Sequence, residues 1–138
     1  MKVVLDTNAL VSGFLSPFGP CGEIVRMAIV GKIQLCYDAR ILAEYVEVLR
    51  RPLFQIDPNE LAPILDCIES TGQSAASSPL SHRLPDKDDE MFLEVALSAG
   101  ARCLVTGNMK HYPEKLRMGM RVMTPAQFMA FYRARRYE

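Results

Sequence analysis

The alternation of apolar and polar positions divides the chain into short β-branched runs separated by stretches of helical spacing. Val3-Val4-Leu5 reads as a buried strand that stops at Asp6. Thr7 and Asn8 follow, either of which can cap the short helix from Ala9 to Leu15. Ser16-Pro17-Phe18-Gly19-Pro20 is a cluster of breakers. Gly22 to Val30 then carries Ile24, Val25, Met27 and Ala28 at helical spacing, with Gly31 as the stop. Ile33 to Tyr37 alternates as a second strand, and Asp38 caps a longer helix through Arg51 that Pro52 ends. Asp57 and Pro58 open a helix to Ser70.

Gln73 to Leu84 is polar and irregular, a surface connection with room for a short edge strand. Asp86 to Ala99 is helical and stopped by Gly100, and Arg102 to Thr106 is another buried strand. Asn108 to Leu116 is a loop or short helix, Arg121-Val122-Met123 a last strand, and Thr124-Pro125 opens a terminal helix to about Arg133. Strands alternating with helices predict an α/β fold whose mostly parallel sheet is covered on both faces. In such sheets ligands sit outside the carboxyl ends of the strands, where the first strand delivers Asp6.

Composition narrows the class without naming a chemistry. The 138 residues suit a single domain over 1–138, and the 49% hydrophobic and 23% charged fractions are those of an ordinary globular protein. Sixteen basic side chains balance sixteen acidic ones, so a nucleic-acid partner is not announced by charge, although a local basic face remains compatible with that sum. Cys21, Cys36, Cys67 and Cys103 form no CxxC pair and read as buried free thiols. Only Met1-Lys2 precedes the first strand, leaving no room for a signal peptide, and no apolar run approaches the ~20 residues of a membrane span. A reduced cytoplasm and no membrane are therefore expected.

The acids carry the candidate chemistry. On the helix from Asp38, at about 100° per residue, Ile41, Leu42, Tyr45, Val46, Val48 and Leu49 share one side. Glu47 falls opposite, a solvated residue. Glu44 lies on the border, as a surface partner for an arginine or as a carboxylate reaching into a cleft. Asp86, Asp88, Asp89 and Glu90 crowd a helix start; complementing the helix dipole accounts for some of them, but four acids exceed what capping requires. In the helix that follows, Phe92, Val95, Ala96 and Ala99 define the buried stripe, Asp89 sits at its margin, and Glu90 points away. Asn108, after Thr106-Gly107, is a turn residue or an amide at the same sheet edge as Asp6. Such oxygens suit Mg²⁺ or Mn²⁺, an ion that can acidify water and neutralise a phosphoryl group. His82 and His111 lack zinc spacing and read as surface residues.

Val4-Leu5-Asp6-Thr7-Asn8, Ile41-Leu42-Ala43-Glu44-Tyr45, the run from Asp88 to Ala96, and Leu104-Val105-Thr106-Gly107-Asn108 together resemble the PIN-domain family, in its order and over essentially the whole chain. The likeness is to its prokaryotic, VapC-like branch of toxins from toxin–antitoxin pairs. It implies a three-layer α/β/α sandwich with a central, mostly parallel sheet, and Mg²⁺- or Mn²⁺-dependent cleavage of single-stranded RNA. By position, Asp6, Glu44 and Asp89 match the family's catalytic, metal-binding acids, with Asp86 and Asp88 as spare acids. Thr7 and Asn8 would orient Asp6, with Thr106 as a further supporting residue. The fourth acidic position is Asn108 here, which removes one negative charge from the metal site. Arg40, Arg83, Lys87, Lys110 and His111 lie near the motifs and are candidates to hold the RNA backbone.

The resemblance also implies an antitoxin partner and a homodimer or higher homo-oligomer. The terminal helix, with Phe128, Met129, Phe131 and Tyr132, is core or partly a subunit contact, and Arg133, Arg135 and Arg136 are a solvated tail. Asn108 motivates an alternative from a different class, a binding or regulatory module that keeps the acidic pocket but has lost turnover. A phosphotransferase using Asp6 as nucleophile is weaker, because that chemistry expects a second Asp where Asn8 stands.

Overall fold

The computed structural model describes residues 1–135, and Arg136 of the expected tail lies outside them. Its strands are β1 (Lys2–Leu5), β2 (Gln34–Tyr37), β3 (Gln73–Ser74), β4 (Cys103–Val105) and β5 (Val122–Met123). Its helices are α1 (Thr7–Leu15), α2 (Pro20–Ile29), α3 (Ala39–Leu49), α4 (Pro58–Thr71), α5 (Glu90–Ala99) and α6 (Pro125–Ala134). The sheet runs β3-β2-β1-β4-β5 with every pairing parallel. The predicted α/β/α sandwich is what the chain adopts.

Parallel strands need crossovers, and right-handed crossovers decide the layers. From β1 the chain steps outward to β2 and then β3, which puts α1 to α4 on one face. It then returns across the sheet to β4, which puts α5 on the other, packed against β1, β2 and β4. Helix α6 joins the first layer by packing on α2. Between the layers, Val3, Val4, Leu5, Leu104 and Val105 are fully buried, which is why these segments read as unbroken apolar runs.

Several boundaries move for physical reasons. The cap of α1 is Asp6 and not Thr7 or Asn8: its carboxylate accepts the Ala9 N–H at 2.9 Å. Helix α3 ends at Leu49, two residues before Arg51. The acidic run forms a single 3₁₀ turn, Lys87–Asp89, capped by Asp86, before α5 begins at Glu90. Two further 3₁₀ turns, Met109–His111 and Glu114–Leu116, fill the stretch left as loop or short helix. Glu90 does not point away; it turns back to accept the Leu84 N–H at 2.9 Å. All four cysteines are unbridged, but only Cys36 and Cys103 are buried, whereas Cys21 and Cys67 are half-buried. Among the described residues no helix is long and apolar enough to cross a membrane.

In the terminal helix Phe128 and Met129 are core. Phe131 and Tyr132 are half-buried beneath arginines, with Arg121 4.8 Å and Arg102 5.9 Å from the Phe131 ring centre and Arg135 3.7 Å from that of Tyr132. Arg133 pairs with Glu23 at 2.9 Å, so neither Arg133 nor Arg135 is a free tail residue.

Candidate active site

The crevice forms where the sheet's connections diverge. β1 leads away to β2 on one side while β4 leads to β5 on the other, the switch point at which parallel sheets bind ligands. Leu5 pairs with Val105, so the next residues, Asp6 and Thr106, arrive side by side. The Asp6 N–H donates to the Val105 carbonyl at 3.0 Å, and the Thr106 hydroxyl donates to Asp6 Oδ2. One Asp6 oxygen thus caps α1 and the other is held by β4.

Glu44 reaches the same crevice because α3 is pinned beside it. The fully buried Tyr45 donates its hydroxyl proton to the carbonyl of Leu5, the residue before Asp6. That contact fixes the rotation of α3 and leaves the neighbouring Glu44 at the border of the apolar stripe, where it accepts the Thr7 hydroxyl. Thr7 therefore orients Glu44 and not Asp6. Asp89 comes from the opposite layer, at the end of the 3₁₀ turn and the start of α5, where the helix dipole favours negative charge.

These residues line one cleft of about 220 Å³, room for a hydrated ion and a phosphodiester group. Asp6, Thr7, Asn8, Glu44, Asp86, Asp88 and Asp89 share it with Val48, Phe92, Arg51 and His111. Asn108 is exposed and outside it, with its side chain on His111 Nε2 at 2.8 Å. Nδ1 of that imidazole stands 3.0 Å from Asp89 Oδ2. The approach is within ion-pair range but lacks hydrogen-bond geometry, so Oδ2 stays buried with no hydrogen-bond donor. His111 lines the cleft, as its place near the motifs suggested, and is not the plain surface residue that its lack of zinc spacing implied.

Burial raises the proton affinity of Asp6, and Glu44 adds to it, against the Thr106 and Ala9 bonds and the charge of His111. Asp89 is pushed up to about 6, first by burial, with His111 acting the other way and Asp86, Asp6 and Asp88 adding to the rise. Crowded acids without compensation hold protons more tightly, and a divalent cation would relieve that repulsion. The Tyr112 hydroxyl, fully buried and without a partner, is held far above the usual phenol range by burial and then by Asp6, Asp89 and Glu44.

Among the described residues no three His, Cys, Asp or Glu side chains are drawn close enough to enclose an ion. Asp6 and Glu44 each accept a threonine hydroxyl instead. The donor set still suits a hard divalent cation, since it is rich in carboxylate oxygen and includes the unsatisfied Asp89 Oδ2.

The cations near the motifs are mostly engaged elsewhere. Arg40 pairs with Asp38 at 2.7 Å and Glu94 at 2.9 Å, and Arg83 stands 3.8 Å from Glu90. Lys87 lines a neighbouring groove with Arg40 and Glu44, and Lys110 is exposed. The arginine in the acidic cleft is Arg51, which sequence reasoning passed over by reading it as the last residue of the helix, two residues beyond where α3 ends. Pro52 right after it stops the helix and was the available signal. Its Nη2 donates to Glu47 at 3.0 and 3.2 Å.

The sequence model of the PIN domain matches residues 2–110 of the chain. No curated protein matches it. Among solved structures, the chain is similar to VapBC2 from Rickettsia felis bound to a DNA fragment from their promoter. That likeness has a TM-score of 0.58 and 16% identity, covering 90% of this chain and 98% of the other. It is also similar to PAE2754 from Pyrobaculum aerophilum, with a TM-score of 0.59 and 14% identity over 98% of this chain and 91% of that one.

Proposed function

Because the chain belongs to the PIN-domain family, we propose that it is a Mg²⁺- or Mn²⁺-dependent endoribonuclease that hydrolyses phosphodiester bonds of single-stranded RNA. The observation that carries this reading is that Asp6, Glu44 and Asp89, from three distant segments, line one acidic cleft beside a single arginine.

Each residue has a part. Asp6 and Asp89 would hold the ion, Glu44 would complete its surroundings, and Asp86 and Asp88 would add negative potential at the rim. A bound ion would supply charge neutralisation for a phosphoryl group and a lowered pKa for water. Thr106 and the Ala9 N–H hold Asp6 at the cleft, and Thr7 holds Glu44 there. Arg51 donates to non-bridging phosphate oxygens through the guanidinium nitrogens that Glu47 leaves unused. Phe92 and Val48 wall the cleft from the core and limit water around the scissile group.

We read the protein as the toxin of a toxin–antitoxin pair, silenced by an antitoxin and working as a homodimer or higher homo-oligomer. The likeness to VapBC2 supports this reading. A single PIN-like domain in a reducing cytoplasm agrees with four unbridged cysteines. The test is cleavage of single-stranded RNA by the purified full-length protein. Mg²⁺ or Mn²⁺ should be required, chelator should abolish cutting, and Asp6→Asn should be inactive while folded. Retained cutting by that variant ends the reading.

Asn108 favours one alternative, a PIN-like binding module without turnover, since the family's fourth acid is an amide here and its side chain is spent on His111. Calorimetric titration separates the two, because no Mn²⁺ binding at millimolar concentration favours the module.

A further inference from the structure

A chain of contacts runs around the cleft from Asp6 to Asp89. The Thr106 hydroxyl donates to Asp6 and accepts the Asn108 backbone N–H at 3.0 Å. The Asn108 amide nitrogen lies 2.8 Å from His111 Nε2, and His111 Nδ1 lies 3.0 Å from Asp89 Oδ2. The single segment after β4 therefore supports one acid and reaches the other. Because Asn108 occupies Nε2, Nδ1 is the ring atom left for the carboxylate side.

A carboxamide can present either end to that nitrogen, and the choice sets the tautomer. If Asn108 donates through its nitrogen, the end that faces Nε2 in the structure, Nδ1 carries the ring proton. If it accepts through its oxygen, Nε2 carries the proton and Nδ1 offers a lone pair. The second arrangement is the one that metal-ligating histidines use, with the far ring N–H held by a carbonyl or carboxylate. Asp89 Oδ2, next to Nδ1, is the buried oxygen that has no hydrogen-bond donor.

Accepting the metal-dependent reading above, we propose that His111, with the Asn108 amide turned over to present its oxygen to Nε2, supplies a nitrogen ligand beside Asp89, so that the site prefers Mn²⁺ to Mg²⁺. Asn108 then is not a lost acid. It exchanges a charged oxygen at the metal for a positioned imidazole. Mg²⁺ keeps to oxygen ligands, whereas imidazole suits the transition metals, so the exchange tilts selectivity.

The experiment uses the full-length protein with Mn²⁺ or Mg²⁺ alone. Calorimetry should give Mn²⁺ at least about tenfold tighter binding than Mg²⁺, and His111→Asn should shrink that ratio by about tenfold. Electron spin-echo spectra of the Mn²⁺-loaded wild type should show nitrogen modulation from a coordinated imidazole. That modulation should change on ¹⁵N-histidine labelling, a readout that does not depend on any variant folding. Mn²⁺ bound without nitrogen modulation overturns this inference and leaves the nuclease reading standing. So does an unchanged ratio in a His111→Asn variant whose circular dichroism is native. Failure of the wild type to bind Mn²⁺ at millimolar concentration overturns both.

Discussion

Glu94 and Asp6 are buried to a similar degree, at 8% and 6% exposure, yet the fold treats them in opposite ways. Glu94 lies on α5 facing Arg40, which also binds Asp38 and Ser77, so its charge is answered by a guanidinium. Asp6 receives a hydroxyl and a backbone N–H and has no ion-pair partner among the described residues. Asp89, across the cleft, has only the approach of His111. Permanent pairing turns a buried acid into part of the scaffold. Neutral donors satisfy the geometry of an acid while leaving its negative potential unspent, and that potential attracts a divalent cation.

The comparison can be broken most sharply at Asp6. Asp6→Asn should lower RNA cleavage by at least about a thousandfold in a gel assay, roughly 4 kcal/mol of barrier, with a native circular dichroism spectrum. The counterpart is Arg40→Ala, which strands Glu94 without its cation. We expect a loss of about 2 kcal/mol in urea unfolding, below the fully buried limit because Arg40 is half exposed. Adding Glu94→Gln should recover part of that loss, and a neutral Arg40→Ala would place the pair among decorative surface contacts.

Proton linkage gives the next effect. The folded-state value of Asp89 is raised to about 6 from 3.8, so the folded protein binds that proton more tightly than the unfolded chain does. The stability this provides is full below about pH 4 and disappears as the pH rises through about 6. In chelator, the melting temperature of wild type relative to Asp89→Asn should therefore fall between pH 4.5 and 7.5, and Mn²⁺ should restore it. A flat difference across that window would mean that Asp89 is better solvated than its surroundings imply. The smallest effect is expected of Arg51→Ala. KM should rise about threefold to tenfold with kcat little changed, and the salt dependence of RNA binding should shrink by about one phosphate contact.

The same contrast explains what could be read in the linear sequence. Order and type of the main elements were legible because apolar periodicity and breakers such as Pro52, Gly100 and Thr124-Pro125 are local signals. Asp6, Glu44 and Asp89 were legible as candidates because each sits at an edge of a periodic pattern. What escaped was pairing across the fold. Glu94 drew no notice, since its partner Arg40 lies 54 residues away and meets it only after both helices dock. Glu90 was aimed at solvent by its helical angle, but a backbone N–H from the preceding loop turned it back. His111 entered the cleft through a 3₁₀ turn that no periodicity announces.

The double use of the Asp6 carboxylate has a consequence for how related chains can diverge. An asparagine caps a helix about as well as an aspartate, whereas an alanine costs about 1 kcal/mol at such a position. A descendant that abandons catalysis can slide to Asn at position 6 and keep its first helix. Glu44 caps no helix, and its replacement costs the scaffold the bond from the buried Thr7 hydroxyl. Loss of activity in such a lineage can therefore leave the first strand and the start of α1 looking intact.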